Sequence, residues 1–276
     1  MAPAQRLALC WGSVEGAGLF DLAGAASDAG IAAIAMTPRH YLEQAAAGIS
    51  DAEIRRRLAD LGVAVVMVDP LIAPMPGIPP IREIAEPMRW LFEPDCAACW
   101  RAAEALEAET INLTHFQGGP VAQEVIGAAV ARLTEANRAH GFATTIEFIP
   151  GTGVPDLAAA ARLVRAAPDL KIMFDCWHYA RSGGTLADIA ALPPGAIGGV
   201  QVNDWSPPAP GASYVPMSGR LMPGDGNLPL AQILALVEAN NTGLWVGIEV
   251  FNADLRAMGR DAAVREMVER TRPLLA

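Results

Sequence analysis

The sequence has little basic charge and no basic patch. Lys and Arg together number 20, against 30 Asp and Glu, which gives a formal net charge of −10. An acidic surface repels phosphate backbones, and nucleic-acid binding relies on concentrated basic charge. The composition therefore argues against a nucleic-acid-binding protein.

Long hydrophobic runs are also lacking. Polar residues or prolines interrupt each apolar run before it reaches the roughly 18 residues that would span a bilayer. The first residues, MAPAQRLALCWG, pass almost at once into a strand-like run, without the charged leader and cleavage site of a secretory signal. The sequence thus predicts a cytoplasmic protein that does not interact with membranes.

Cysteine is scarce, with four residues in the chain. Cys96 and Cys99 form a lone Cys-x-x-Cys in a helical stretch. A zinc ribbon needs a second pair, and a redox motif needs a thioredoxin-like setting. We therefore expect Cys96 and Cys99 to be ordinary helix residues.

Apolar residues, by contrast, make up 52% of the 276 residues, enough for a substantial core. A short run rich in Val, Ile, Leu and Ala, then a polar turn and a helical stretch, recurs eight times. The strand-like runs are residues 7–11, 31–36, 63–69, 110–116, 144–149, 171–176, 197–204 and 245–251. The helical candidates are residues 18–29, 51–61, 93–107, 120–139, 155–167, 185–191, 227–240 and 256–274.

Continuous apolar runs of this length are typical of parallel strands covered by helices on both faces. Eight such units predict an α/β fold, a single (β/α)8 (TIM) barrel domain over residues 1–276. A doubly wound sheet is the alternative, but WGSVEGAG after the first strand is a poor version of its nucleotide loop. The expected helix N-caps include Asp51 and Asn227, and the expected helix ends include Gly30, Gly62 and Gly141.

Two loops are longer than a barrel requires. Residues 70–90 follow the third strand and residues 205–223 follow the seventh, at the end of the barrel where active sites form. Long loops there often act as lids. They can equally cover the barrel mouth or form the interface of a homo-oligomer.

Four polar residues interrupt the last four strands. Glu147, Asp175, Gln201 and Glu249 each lie near the carboxyl end of a strand, flanked by apolar residues. One such residue would be read as a satisfied polar group at a strand end. Four on consecutive strands place three carboxylates and an amide at the barrel mouth, where a cation would offset their mutual repulsion. Oxygen donors without thiolate favour Mg²⁺ or Mn²⁺ over Zn²⁺.

This pattern resembles the sugar phosphate isomerase/epimerase superfamily of xylose-isomerase-like barrels, which includes ketose 3-epimerases, hydroxypyruvate isomerases and inosose dehydratases. The resemblance covers most of the chain and is specific mainly from the fifth strand onward. Asp175-Cys176-Trp177-His178 is similar to the family's Asp-x-x-His, and Arg220-Leu221-Met222-Pro223-Gly224 to its Arg-x-x-Pro-Gly. Gln201 stands where many epimerases have His, which leans toward the hydroxypyruvate-isomerase-like branch.

The resemblance implies roles for these residues. Glu147, Asp175, Gln201 and Glu249 would hold the divalent metal. Glu147 and Glu249 would also be the acid/base pair that moves a proton next to a carbonyl, through an enediolate. His178 and Arg220 would bind substrate oxygens, and His115, at the end of the fourth strand, would line the same pocket.

The implied activity is isomerisation or epimerisation of a small keto or aldo sugar or hydroxy-keto acid. Two alternatives stay open: a metal-dependent dehydratase or lyase on a keto-sugar or inosose-type substrate, and a non-catalytic barrel that binds a sugar. The apolar residues of the 71–90 loop also suggest a substrate with a hydrophobic group, or an oligomer contact.

Two other barrel chemistries are disfavoured. The one lysine, Lys171, begins the sixth strand, at the wrong end of the barrel for a Schiff-base aldolase. The four histidines and the acidic composition also argue against the related barrels that cut DNA at abasic sites with a histidine-rich zinc cluster.

Overall fold

The computed structural model describes residues 6–209, 215 and 217–275. Its strands are β1 Leu7–Cys10, β2 Ala33–Met36, β3 Ala64–Leu71, β4 Thr110–Thr114, β5 Ala143–Glu147, β6 Leu170–Asp175, β7 Ile197–Val202 and β8 Val246–Ile248. Its α-helices are α1 Leu19–Asp28, α2 Pro38–Ala46, α3 Asp51–Asp60, α4 Cys96–Leu106, α5 Gln123–Ala139, α6 Leu157–Ala166, α7 Cys176–Arg181, α8 Leu186–Ala190, α9 Leu230–Asn240, α10 Ala253–Met258 and α11 Arg260–Thr271. Among these helices, none combines the length and hydropathy needed to cross a membrane.

The strands close into one parallel barrel. Each strand pairs with its neighbours in chain order, and β8 pairs with β1. The helices pack outside the barrel, and large buried side chains such as Phe148 and Ile172 fill the layer between strands and helices. The predicted (β/α)8 barrel is therefore confirmed.

The inside of the barrel is lined by small residues and methionines. Ala8, Cys10, Ala35 and Met173 form a second buried cluster there. Gly247 of β8 is required at this level, because a Cβ on it would lie 2.7 Å from the Sγ of Cys10. Glu147, Asp175 and Glu249 lie at the carboxyl ends of β5, β6 and β8, at the open end of the barrel.

The structure also tests the predicted helix boundaries. The glycines at 30, 62 and 141 follow helix C-caps with φ of +70°, +68° and +89°, as expected. Both N-cap predictions are wrong. Ser50 caps α3, since its hydroxyl accepts the N–H of Glu53, and Asp51 is already helical. The helix expected after Asn227 begins at Leu230, after Pro229.

Two short helices, α2 and α7, were not expected, and the last predicted helix is split into α10 and α11 at Gly259. Cys96 and Cys99 do lie on α4 and are unpaired. Lys171 does lie near the start of β6, far along the strand from Asp175.

Candidate active site

The four predicted polar residues meet at the carboxyl end of the barrel. Glu147 ends β5, Asp175 ends β6, Gln201 lies in β7 and Glu249 directly follows β8. The strand register pairs Asp175 with Gln201, so neighbouring strands present them at the same level. All four side chains are buried. We call these four residues the oxygen cluster.

Asp175 is held by three donors. Its Oδ1 accepts the backbone N–H of His178 at 2.8 Å, so the carboxylate also caps the short helix α7. Its Oδ2 accepts the amide of Asn203 at 3.0 Å and the guanidinium of Arg220 at 3.2 Å. These three hydrogen bonds fix the carboxylate in place and replace the water that burial removes.

Arg220 brings a buried positive charge to the cluster. Its Nη2 lies 3.2 Å from Asp175 and 3.3 Å from Oε2 of Glu249. The guanidinium carbon lies 4.9 Å from the ring centre of Trp177 and 4.8 Å from that of Phe251, distances typical of cation–π contacts. These contacts hold Arg220 as the counter-charge of two carboxylates.

The loop that carries Arg220 is fastened by Asp204. The Asp204 carboxylate accepts the backbone N–H groups of Trp205, Gly224 and Leu228 at 2.8, 2.9 and 3.1 Å. Its own backbone forms an antiparallel bridge with Leu221, the residue after Arg220. The side chain of Asp204 therefore holds together the loop that carries Arg220.

His178 points its Nε2 at the same centre. This atom lies 3.3 Å from Oε1 of Glu147 and 3.4 Å from Nη2 of Arg220. A proton on Nε2 would be shared with Glu147, whereas a bare Nε2 accepts from Arg220. His178 can therefore donate or accept at the edge of the cluster.

Two buried amide oxygens near the carboxylates have no partner among the described residues. Gln201 donates its Nε2–H to Oε1 of Glu249 at 3.1 Å, and its own Oε1 is unpaired. Asn203 donates to Asp175, and its Oδ1 is also unpaired. Buried oxygens of this kind normally have a hydrogen-bond donor or a cation as a partner, and the described residues supply neither.

The electrostatics of the cluster differ from one carboxyl to the next. Burial strongly raises the pKa of Glu249, and the charges of Asp69, Glu147 and Asp175 add to that rise. Burial also acts on Asp175, but the charges of Arg220 and His178 and the bound N–H outweigh it, so its pKa lies below the usual range.

The site fits a divalent cation. Ligand atoms of Glu147, Asp175 and His178 all lie within 4.8 Å of one another. The unpaired Oε1 of Gln201 supplies a further neutral oxygen on the neighbouring strand. Carboxylate and amide oxygens in this number are ligands that Mg²⁺ and Mn²⁺ accept. Among the described residues, this group includes His178, which the resemblance assigned to substrate, and it does not include Glu249, which the resemblance assigned to the metal.

Sequence reasoning missed a second polar group, on the β3 and β4 side. Asp69 of β3 accepts the amide of Asn112 at 2.7 Å and the indole N–H of Trp11 at 3.4 Å. The Asn112 amide also reaches Glu147 at 3.4 Å, as does the hydroxyl of Thr114. Asp69 could have been found by the criterion that found the others, a carboxylate ending an apolar run.

His115 is not brought to the cluster. Its Nε2 lies 2.7 Å from the carbonyl of Pro76, and its Nδ1 accepts the backbone N–H of Gly153 at 2.8 Å. A Cβ on Gly118 would lie 2.0 Å from the imidazole ring, so the loops close tightly around it. His115 thus joins two loops, and among the described residues it is not part of the cavity wall.

A cavity that is partly open to solvent lies over the cluster. Glu147, His178, Arg220 and Glu249 line its polar part. The long loop after β3 contributes Ile72 and Leu91. The loop predicted over 205–223 contributes Met217 as well as Arg220, while its residues 210–214 and 216 lie outside the described part of the chain. The lid and interface roles of both loops stay predictions.

A comparison with known families identifies the family of this chain. The sequence profile described as xylose isomerase-like TIM barrel matches residues 23–274, nearly the whole chain. The protein therefore belongs to the xylose isomerase-like TIM barrel family. A comparison with curated protein sequences gives no significant match.

Solved structures show the same fold at low sequence identity. The IolI protein, solved with a bound zinc atom, superposes with a TM-score of 0.81 at 14% identity, covering 98% of both chains. A xylose isomerase domain protein from Salmonella typhimurium gives 0.76 at 16% identity, covering 99% of this chain and 97% of the other. A D-psicose 3-epimerase, solved in the presence of D-fructose, gives 0.70 at 16% identity, covering 98% and 99%.

Proposed function

We propose that this protein is a divalent-metal-dependent isomerase or epimerase of a small hydroxy-carbonyl compound, such as a keto or aldo sugar or a hydroxy-keto acid. The observation that carries the proposal is the oxygen cluster itself: three buried carboxylates beside a buried amide oxygen without a partner. The proposed ligands are Glu147, Asp175, Gln201 and Glu249, with Mg²⁺ or Mn²⁺ preferred over Zn²⁺. The zinc of the IolI structure and the epimerase named among the similar structures support the same class.

When bound, a divalent ion polarises a carbonyl oxygen and offsets the negative charge that develops as the neighbouring carbon loses its proton. The protein supplies the proton transfer. Glu147 and Glu249 line the same cavity from strands separated by β6 and β7. One carboxylate removes the proton and the other carboxyl group returns one. Return to the same carbon inverts its configuration, and return to the former carbonyl carbon moves the carbonyl to its neighbour.

Arg220 and His178 orient the substrate in this proposal. Both are buried, line the cavity and place a nitrogen beside the carboxylates. A guanidinium in surroundings this dry binds a substrate oxygen more strongly than it would in water. Arg220 is already fixed between Trp177 and Phe251, so little ordering is required when substrate arrives.

Proton exchange in D2O tests the proposal. The Mn²⁺-loaded protein is incubated with a panel of keto sugars and hydroxy-keto acids, and products are followed by NMR. Isomerisation or epimerisation predicts deuterium on the carbon next to the carbonyl. Loss of water or an alcohol would instead assign the lyase alternative, and an isomerised or epimerised product without deuterium would contradict the proposed proton transfer through two carboxyl groups.

A further inference from the structure

The cavity over the oxygen cluster has a polar floor and an apolar wall. The floor is formed by Glu147, His178, Arg220 and Glu249. The wall differs in character, because most of its side chains are aliphatic or aromatic. Its members are Trp11, Pro70, Ile72, Leu91, Phe116, Ile149, Trp177, Met217 and Phe251. We call these residues the apolar wall.

The apolar wall is built into the barrel rather than laid over it. Ile72 directly follows β3, and Phe116 and Ile149 each follow their strands by two residues. Leu91 ends the 3-10 turn Glu86–Leu91 of the long loop, and the adjacent Phe92 stacks on Phe116 at 6.0 Å. These side chains are nearly fully buried, so the wall exists before any ligand arrives.

Two polar residues of the cavity lining, Asp69 and Thr114, lie beside the apolar wall, and both already form hydrogen bonds within the protein. The indole N–H of Trp11 donates to Asp69, and the other oxygen of Asp69 accepts from Asn112. The hydroxyl of Thr114 donates to Glu147. Among the described residues, the wall therefore offers few hydrogen bonds to a chain of hydroxyl groups. Each hydroxyl placed against Ile72 or Leu91 would lose water without a replacement, which is costly.

We infer that the substrate is a hydroxy-carbonyl compound that carries an aromatic or alkyl group in place of a polyhydroxylated chain. The carbonyl end faces the oxygen cluster, and the apolar group packs on the apolar wall. This inference rests on the proposed function, because the orientation assumes that the oxygen cluster binds the carbonyl end through a metal.

Three hydroxamates with one head group test the inference. A hydroxamate chelates a divalent ion through two oxygens, and the three tails are methyl (acetohydroxamate), benzyl (phenylacetohydroxamate) and a trihydroxylated chain (erythronohydroxamate). Binding to the Mn²⁺-loaded protein is measured by isothermal titration calorimetry. Burial of a phenyl ring predicts that phenylacetohydroxamate binds about tenfold or more tightly than acetohydroxamate. Erythronohydroxamate should bind no better than acetohydroxamate.

The outcomes separate the inference from the proposed function. If acetohydroxamate binds and the benzyl tail gives no gain, or the hydroxylated tail binds best, the inference is overturned and the metal centre stands. If none of the three binds in the presence of Mn²⁺, the proposed function fails and the inference fails with it.

Substitutions in the long loop locate the tail. Leu91→Asn places an amide in the apolar wall with the same number of heavy atoms and should reduce the gain from the benzyl tail several-fold. Leu91→Ala removes contact area without adding a polar atom and should act in the same direction. Ile81→Asn is the control, because Ile81 belongs to the same loop but is 43% exposed and outside the cavity lining. An unchanged benzyl gain in both Leu91 variants would overturn the placement on the apolar wall.

Discussion

The two sides of the barrel mouth hold buried aspartates in opposite ways. Asp175, at the end of β6, contacts the guanidinium of Arg220 and has a lowered pKa, although burial alone would raise it. Asp69, in β3, accepts only neutral donors, Asn112 and Trp11, among the contacts seen. Its pKa is raised to about 7 by burial and by the nearby charge of Glu147.

The pKa values of these two aspartates differ because Arg220 lies against Asp175 and not against Asp69, since burial alone would raise both. Glu249 also contacts Arg220, but burial and the neighbouring carboxylates keep its pKa raised. Both aspartates are buried at the carboxyl ends of strands of one barrel. The β5–β8 side gathers negative charge around Arg220, which suits a second cation. The β1–β4 side is mostly apolar, and its carboxyl is bonded to neutral groups. The charged groups of the cavity lining other than Asp69 thus lie on the β5–β8 side, whereas apolar residues line the cavity from both sides.

Removing a carboxylate from the β5–β8 side should have the largest effect. Glu147→Gln and Glu249→Gln each delete a group assigned to proton transfer and to the metal. We expect turnover to fall about 10³-fold or more in each variant. Steady-state kinetics on the substrate identified by exchange in D2O measure the loss. Glu124→Gln, an exposed position on α5, is the matched control and should keep normal turnover. Near-normal activity in either site variant would overturn that residue's role.

Removing the positive charge of Arg220 should destabilise the metal-free protein. Arg220→Met leaves Asp175 and Glu249 buried without their counter-charge, a change that costs about 4 kcal/mol in the free energy of unfolding. Urea unfolding in EDTA measures it. Added Mn²⁺ should recover more stability in this variant than in the parent protein, because it replaces a missing positive charge.

The control for Arg220 is a surface arginine. Arg270 pairs with Asp225 and Glu266, but its side chain is 34% exposed. Arg270→Met should cost about 1 kcal/mol or less, since solvent screens exposed pairs. Equal costs for the two arginines would show that Arg220 is not the charge on which the carboxylates depend.

Asp69 should make the metal-free protein less stable as the pH rises. Its folded-state pKa is about 7, whereas the unfolded chain titrates near the ordinary value of about 3.9. Between these values the folded state holds the extra proton, so stability is greatest below the unfolded value and falls as pH rises through the folded one. The loss across this window is on the order of 4 kcal/mol.

Asp69→Asn isolates this contribution, because other carboxyls titrate in the same range. The parent protein should lose stability relative to the variant between about pH 4 and pH 7, in EDTA. Parallel stability curves for the two proteins would show that Asp69 is not held protonated. The pKa of Asp69 would then not differ from that of Asp175 in the way described above.

The fold was predictable from the sequence because each strand is an apolar run between polar turns. All eight strands and most helices lie close to the expected ranges. The two missed helices have identifiable causes. The α2 sequence PRHYLEQAA has too few apolar residues to show a face, and it begins at Pro38. The α7 helix starts straight from β6 because the side chain of Asp175 caps it, a role that spacing does not reveal.

The site was predictable only in part. The oxygen cluster could be predicted because each of its four members is a polar residue within or at the end of an apolar run. The alternation of side chains along β4 was harder to use, because neighbouring residues face opposite sides. Thr114 pairs with Glu147 and lines the cavity. The next residue, His115, faces away and bonds two loops. The contacts of Arg220 depend on a loop whose path no local pattern specifies.

The smallest effect is expected from Asp204, which acts through Arg220. Asp204→Ala releases three backbone N–H groups of the Arg220 loop, at Trp205, Gly224 and Leu228. We expect a loss of about 1–2 kcal/mol in stability, together with a several-fold fall in kcat. Asp188→Ala provides the comparison, because Asp188 caps α8 through Thr185 and lies outside the cavity lining. That variant loses only an exposed capping contact, so it should lose less stability than Asp204→Ala and keep its kcat. If both variants lose stability and neither loses activity, Asp204 supports the fold without positioning Arg220, and the charged side of the mouth is fixed by its strands alone.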